Sequence, residues 1–140
     1  MPPDPLALAR FVAAQAPVWD DVVAELQAGR KTSHWMWFVF PQLASLGRSA
    51  MARRYGLSGL DEARAYLAHP VLGERLRSCC AILLGLRERD PQAIFGSIDA
   101  MKLRSCLTLF AAASQEAVFQ DCLDAFYGGE GDPLTRVQVD

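Results

Sequence analysis

Asp-Pro occurs three times in this 140-residue chain, as Asp4-Pro5, Asp90-Pro91 and Asp132-Pro133. The pair marks helix starts. The Asp carboxylate accepts a bond from a free first-turn N–H, and Pro at the first helical position loses nothing by lacking its own. Behind these starts, and behind Pro17 and Pro70, apolar residues recur at three- and four-residue steps. A helix over 5–15 puts Leu8, Phe11 and Val12 on one face. The next opens at Pro17, repeats Trp19, Val22, Val23 and Leu26, and stops near Gly29. Ser58 with Asp61 forms a variant capping box for a helix over 58–68. A long helix over 70–89 carries Leu72, Leu76, Cys79, Cys80, Leu83 and Leu84 as its stripe. Further helices cover 98–113 and 115–127, the second ended by Gly128-Gly129, and a short last one starts at Pro133. No segment alternates apolar and polar residues over a strand's length; Val39-Phe40 reads at most as an isolated extended pair. The expectation is an all-α, single compact multihelical domain of six or seven helices over residues 1–140.

Several function classes drop out on composition. A net charge of −2 lacks the basic excess of nucleic-acid binders, so no nucleic-acid partner is expected. No apolar run approaches the ~18–20 residues that span a bilayer, so no membrane partner is expected. The N-terminus lacks a basic region followed by an apolar one, which argues against a secretory signal. Cys79, Cys80, Cys106 and Cys122 form no Cys-x-x-Cys and have no His at finger spacing. They read as small buried hydrophobes in a reducing, cytoplasmic setting, with no metal. Glycine-rich phosphate loops, Gly-x-Ser-x-Gly and His-Glu-x-x-His are all missing, so no cofactor is expected.

The polar residues that stand out flank one aromatic stretch, KTSHWMWFVFPQ, over 31–42. It lies between the Gly29 stop and Pro41, which makes it a connector, and connectors carry function more often than helix faces do. Ser33 is placed to cap one or two helical turns ending before Phe40. Trp37, Phe38 and Phe40 read as core anchors. Lys31, Ser33, His34, Trp35 and Gln42 read as a pocket rim. His34 is the catalytic candidate, because imidazole exchanges protons near neutral pH. Lys31, Ser33, Trp35 and Gln42 are the ligand-binding candidates, joined by Lys102 and Ser105, three apart on one face of the helix after Gly96. A helix starting near Ser97 also offers free N–H groups to an anion. Asp99 reads as a surface ion-pair partner of Lys102, and His69 before Pro70 as a cap or turn residue.

Four blocks carry a family resemblance: KTSHWMWFVFPQL, YLAHPVLGERL, IFGSIDAMKLRSCLTLF and FYGGEGDPLT. Together they resemble a family of small, uncharacterised, all-helical bacterial and fungal proteins, filed as a domain of unknown function and sometimes mislabelled calpastatin. The family pattern commonly has a second Ser and a Met where this chain has Cys106 and Leu107. The resemblance implies a multihelical fold and carries over no catalytic residue. The functional expectation therefore rests on the residues themselves. It is a small-molecule-binding domain for an anionic ligand of the nucleotide or sugar-phosphate kind, enzymatic if His34 acts as acid or base. The alternative is a helical protein–protein interaction module that docks through the Trp-rich stretch. No oligomeric state follows from these features.

Overall fold

The structure is a computed structural model that describes residues 5–139. Helix α1 (Pro5–Gln15) leads through a 3₁₀ turn into α2 (Trp19–Gln27). After the connector come the short α3 (Met36–Val39), a second 3₁₀ turn and α4 (Ala50–Arg54). The larger helices follow: α5 (Leu60–Ala68), α6 (Leu72–Leu84), α7 (Pro91–Ala113), α8 (Ala117–Tyr127) and α9 (Pro133–Val139). The fold is all-α, as expected. The excess over the expected number of helices comes from short turns between residues 36 and 54.

The Asp-Pro reading holds where it can be seen. Asp90 accepts from the Gln92 N–H at 2.9 Å, with Pro91 opening α7. Asp132 accepts from both the N–H and the hydroxyl of Thr135, at 2.9 and 2.7 Å. Pro5 opens α1, whereas Asp4 lies outside the described residues. Three local expectations change. The carboxylate that reaches back to Ser58 N–H is Glu62, not Asp61, at 3.1 Å. Helix α6 starts at Leu72, because His69 Nδ1 accepts from Val71 and Leu72 N–H and so caps it. It ends at Leu84, because Arg89 folds back onto the carbonyls of Leu83, Leu84 and Leu86.

Helix α7 is central and packs on α5, α8 and α9, while α6 packs on α2, α5 and α8. One continuous core runs from Leu8 and Phe11 through Trp35, Tyr66 and Leu76 to Phe110 and Phe119. All four cysteines are free and buried within it. Two polar devices tie the connector region into this core. Gln15 donates to the Phe38 carbonyl at 2.6 Å and to the buried Tyr66 hydroxyl at 3.1 Å. Leu43 and Leu57 form an isolated parallel bridge, so the extended contact lies there and not at Val39-Phe40. No described helix is long and apolar enough to cross a membrane.

Helix α7 is one helix in name only. Gly96 adopts φ 80° and ψ 167°, which breaks the backbone after the first turn and restarts the helix toward Asp99 and Lys102. That region of backbone space is open essentially to glycine alone. The break puts Asp99 in a new first helical turn, where a carboxylate is favoured by the dipole.

Candidate functional site

One carboxylate clamps the start of the connector. Glu25, in α2, accepts through Oε1 from Thr32 N–H at 2.7 Å, Ser33 N–H at 2.8 Å and the Trp35 indole N–H at 3.2 Å. Burial by itself raises the pKa of this carboxyl. The hydrogen bonds from Ser33, Thr32 and Trp35 outweigh that effect and hold it at about 2. Sequence reasoning missed Glu25. A signal existed: an acid in the last turn of a helix faces the negative end of the dipole, so some other interaction must hold it there. Ser33 is not a helix cap. The residue that precedes α3 is Trp35, and no side-chain oxygen, that of Ser33 included, accepts from the first N–H groups of that helix.

The clamp turns the Trp35 indole inward. Trp35 is 0 % exposed, packs on Phe40 and lies under the Lys31 ammonium. The rim expectation for Trp35 is therefore corrected, since no ligand reaches it from solvent. Trp37, expected as a core anchor, is the half-buried indole. Two residues on along a helical turn, it points to roughly the opposite side. Phe38 and Phe40 are buried, as expected.

Lys31 is an anchor more than a contact. Its N–H donates to the Ile94 carbonyl at 2.8 Å, and its ammonium donates to the Ser33 carbonyl at 2.6 Å. The ammonium also pairs with Asp99 Oδ2 at 2.8 Å, and the Lys31 side chain is only 6 % exposed. The other oxygen of Asp99 faces Lys102 Nζ at 3.9 Å. Asp99 is thus the pivot between the connector and α7, a larger role than the surface pair read from sequence. Two ammonium groups share one carboxylate, which leaves one positive charge uncompensated. The Lys102 ammonium in turn sits 5.2 Å from the centre of the Trp37 ring.

Trp37, Gln42 and Lys102 meet in a small cleft with Met36, Phe40, Ala52 and Tyr55. It encloses about 10 Å³, room for one water molecule. Of the residues singled out from sequence, the structure brings Gln42 and Lys102 to this cleft, while Lys31 reaches only the Asp99 carboxylate that Lys102 also faces. Ser105 is elsewhere: it is buried, and its hydroxyl donates to the Met101 carbonyl at 3.2 Å. His34 is exposed, and among the described residues its ring has no hydrogen-bond or ion-pair partner that would orient it. Tyr55, Met36 and Ala52 were not foreseen. Tyr55 and Ala52 arrive from α4 and its end, a helix too short to show a periodic stripe. No group of three or more His, Cys, Asp or Glu among the described residues is arranged to hold a metal ion.

No curated protein matches the chain. Among solved structures, the conserved hypothetical protein Rv1873 from Mycobacterium tuberculosis is similar at 51 % identity, with 96 % of each chain covered and a TM-score of 0.93. A family profile described as "Protein of unknown function (DUF1810)" matches residues 5–139. That span takes in the Glu25 clamp, the Asp99 pivot and the Trp37 cleft, and the chain belongs to this DUF1810 family.

Proposed function

We propose that the chain binds a small anionic ligand, of the nucleotide or sugar-phosphate kind, at the Trp37–Gln42–Lys102 cleft. The observation that carries the reading is the shared carboxylate. Lys31 consumes one oxygen of Asp99 at 2.8 Å, and Lys102 lies 3.9 Å from the other, so Lys102 keeps charge to offer. A phosphate takes that charge, the Gln42 amide supplies a hydrogen bond, and the open part of the Trp37 indole supports a planar group. The cleft is too shallow to enclose a nucleotide, so the ligand lies across it. One stacking contact and one charge-assisted bond correspond to an affinity on the order of 0.1–1 mM. Lys31 holds the site together, and Trp35 and Ser105 are structural. His34 stays outside the binding step, and any catalytic part for it depends on the ligand bringing its reacting atoms to an exposed ring. Free, buried thiols suit a reducing compartment such as the cytoplasm.

A thermal-shift series tests the reading. AMP and ribose 5-phosphate at about 100 times their Kd should stabilise the protein by about 2.7 kcal/mol, and neutral adenosine by much less. Lys102→Met should abolish the phosphate-dependent part. Equal shifts from AMP and adenosine, or an unchanged response in Lys102→Met, would refute it.

One observation favours an interaction module, with docking through a face beside the Trp-rich stretch and not through Trp35, which is buried. Ile98 and Met101 are 72 % and 71 % exposed and stand three apart on α7, bracketing Asp99 and next to Lys102. An apolar knuckle beside the cleft suits a helical partner or a second copy. Sedimentation velocity over a wide concentration range distinguishes the two: mass that rises with concentration, and falls back in Ile98→Ser with Met101→Ser, supports docking through this face.

A further inference from the structure

Away from the Trp37 cleft, a cavity of about 210 Å³, open to solvent along Ala112, Gln120 and Arg136, lies between α7, α8 and α9. Ala111, Ala112, Leu123 and Val139 give it an apolar wall, while Thr108, Gln120 and Arg136 supply its polar atoms. Arg136 is the one charged residue of that lining. Helix α9 carries it, and the Asp132–Thr135 cap fixes where α9 starts. The loop before α9 braces the same side chain. A Cβ at Gly131 would sit 2.6 Å from Arg136 Nε and 3.0 Å from Thr108 Oγ1, so the Arg136 side chain lies in space that only a glycine in this loop leaves open. Among the described residues the guanidinium has no hydrogen-bond or ion-pair partner. Gln120 spends its amide N–H groups on Asp124 at 2.9 Å and the Gly129 carbonyl at 3.3 Å, which leaves Oε1 as an acceptor.

We propose that this cavity is a second binding site, for a small amphipathic monocarboxylate. Arg136 takes the carboxylate, and the Ala–Leu–Val wall takes the apolar body. Three features select that class. The volume is below the roughly 300–1,000 Å³ of drug-sized sites, so the occupant is smaller than a nucleotide. A single guanidinium fork matches one carboxylate in bidentate geometry. The lining offers no second cation for a phosphate dianion.

The test titrates benzoate and hexanoate into the full ¹⁵N-labelled chain and follows the amide resonances. Saturable shifts at Ala111, Ala112 and Leu123 are expected. Arg136→Gln should weaken binding about tenfold or more, and neutral benzamide should bind weaker by a similar factor. Ala112→Leu should fill the cavity and remove binding, whereas Lys102→Met should leave it unchanged. The Ala112 variant keeps the test decisive if Arg136→Gln unsettles α9, because Ala112 is exposed and tolerates a larger side chain. Absence of saturable shifts at about 20 mM ligand, an unchanged affinity in a folded Arg136→Gln protein, or shifts centred on Trp37 and Lys102 would each overturn the proposal.

Discussion

Replacing Glu25 with Gln removes a charge and keeps an acceptor oxygen of the same shape. Its consequences follow from three donors. Thr32 N–H, Ser33 N–H and the buried Trp35 indole all converge on Glu25 Oε1, at 2.7, 2.8 and 3.2 Å. The ordinary carboxyl pKa of 4.5 falls to about 2 in the fold. At about 1.4 kcal/mol per unit, that shift corresponds to roughly 3 kcal/mol of stability. The carboxylate is partly solvated, and screening reduces the figure to about 1–2 kcal/mol. The sign is fixed by the direction of the shift. A depressed carboxyl pKa contributes stability that is fully present above about 4.5 and is lost as pH falls toward about 2. Urea denaturation of the native sequence and of Glu25→Gln, at several pH values between 7 and 2.5, measures the difference. We expect Glu25→Gln to be less stable by about 1–2 kcal/mol at pH 7. The gap should narrow steadily below pH 4.5. Other carboxylates titrate in both proteins and cancel in the difference. A gap that stays constant across the range would show that the charge on Glu25 is not what holds the connector. Equal stabilities at pH 7 would show that the charge on Glu25 adds nothing to the hydrogen bonds of the clamp.

Two further perturbations probe separate parts of the account. Gly96→Ala should destabilise by about 1–3 kcal/mol, a Tm loss of roughly 3–10 °C, because φ 80° with ψ 167° excludes a side chain. An added Cβ there meets nothing within 4 Å, so a Tm at or above the parent value would contradict the strain argument directly. The thiols should be inert in the native state at pH 8. Burial pushes Cys79 up to about 12 and Cys106 well above its ordinary value. A disulfide reagent should therefore count no thiols before denaturation and four after it, and rapid native reactivity would refute the buried placement.

The parts of the fold that were legible in the sequence are those set by neighbours along the chain. Asp90 and Asp132 cap their helices through residues two or three positions on, and Leu72, Leu76, Cys79, Cys80 and Leu83 are buried at the spacing their stripe predicts. Residues 31–57 were less legible because distant groups hold them. Glu25 grips Thr32, Ser33 and Trp35, Gln15 grips the Phe38 carbonyl, and Leu57 bridges to Leu43. None of these contacts leaves a periodic trace. The exchange of roles between Trp35 and Trp37 has the same origin. In a connector without a stripe, which indole faces inward depends on the clamp, and the clamp lies on another helix. The site was legible in part for a related reason. Lys102 and Asp99 share a helix, so their pairing follows from spacing, whereas the capture of Lys31 by Asp99 requires the Gly96 break and the Lys31–Ile94 backbone bond.

The central claim is that Lys102, beside Trp37 and only half neutralised by Asp99, is where an anion binds. Isothermal titration of AMP into the native sequence and into Lys102→Met tests it most directly. We expect saturable one-to-one binding to the native protein, weakened about tenfold or more in Lys102→Met, with the same loss in Trp37→Ala and an unchanged melting profile in the lysine variant. Equal affinity in all three proteins, or no heat of binding at AMP concentrations well above about 1 mM, would contradict the claim.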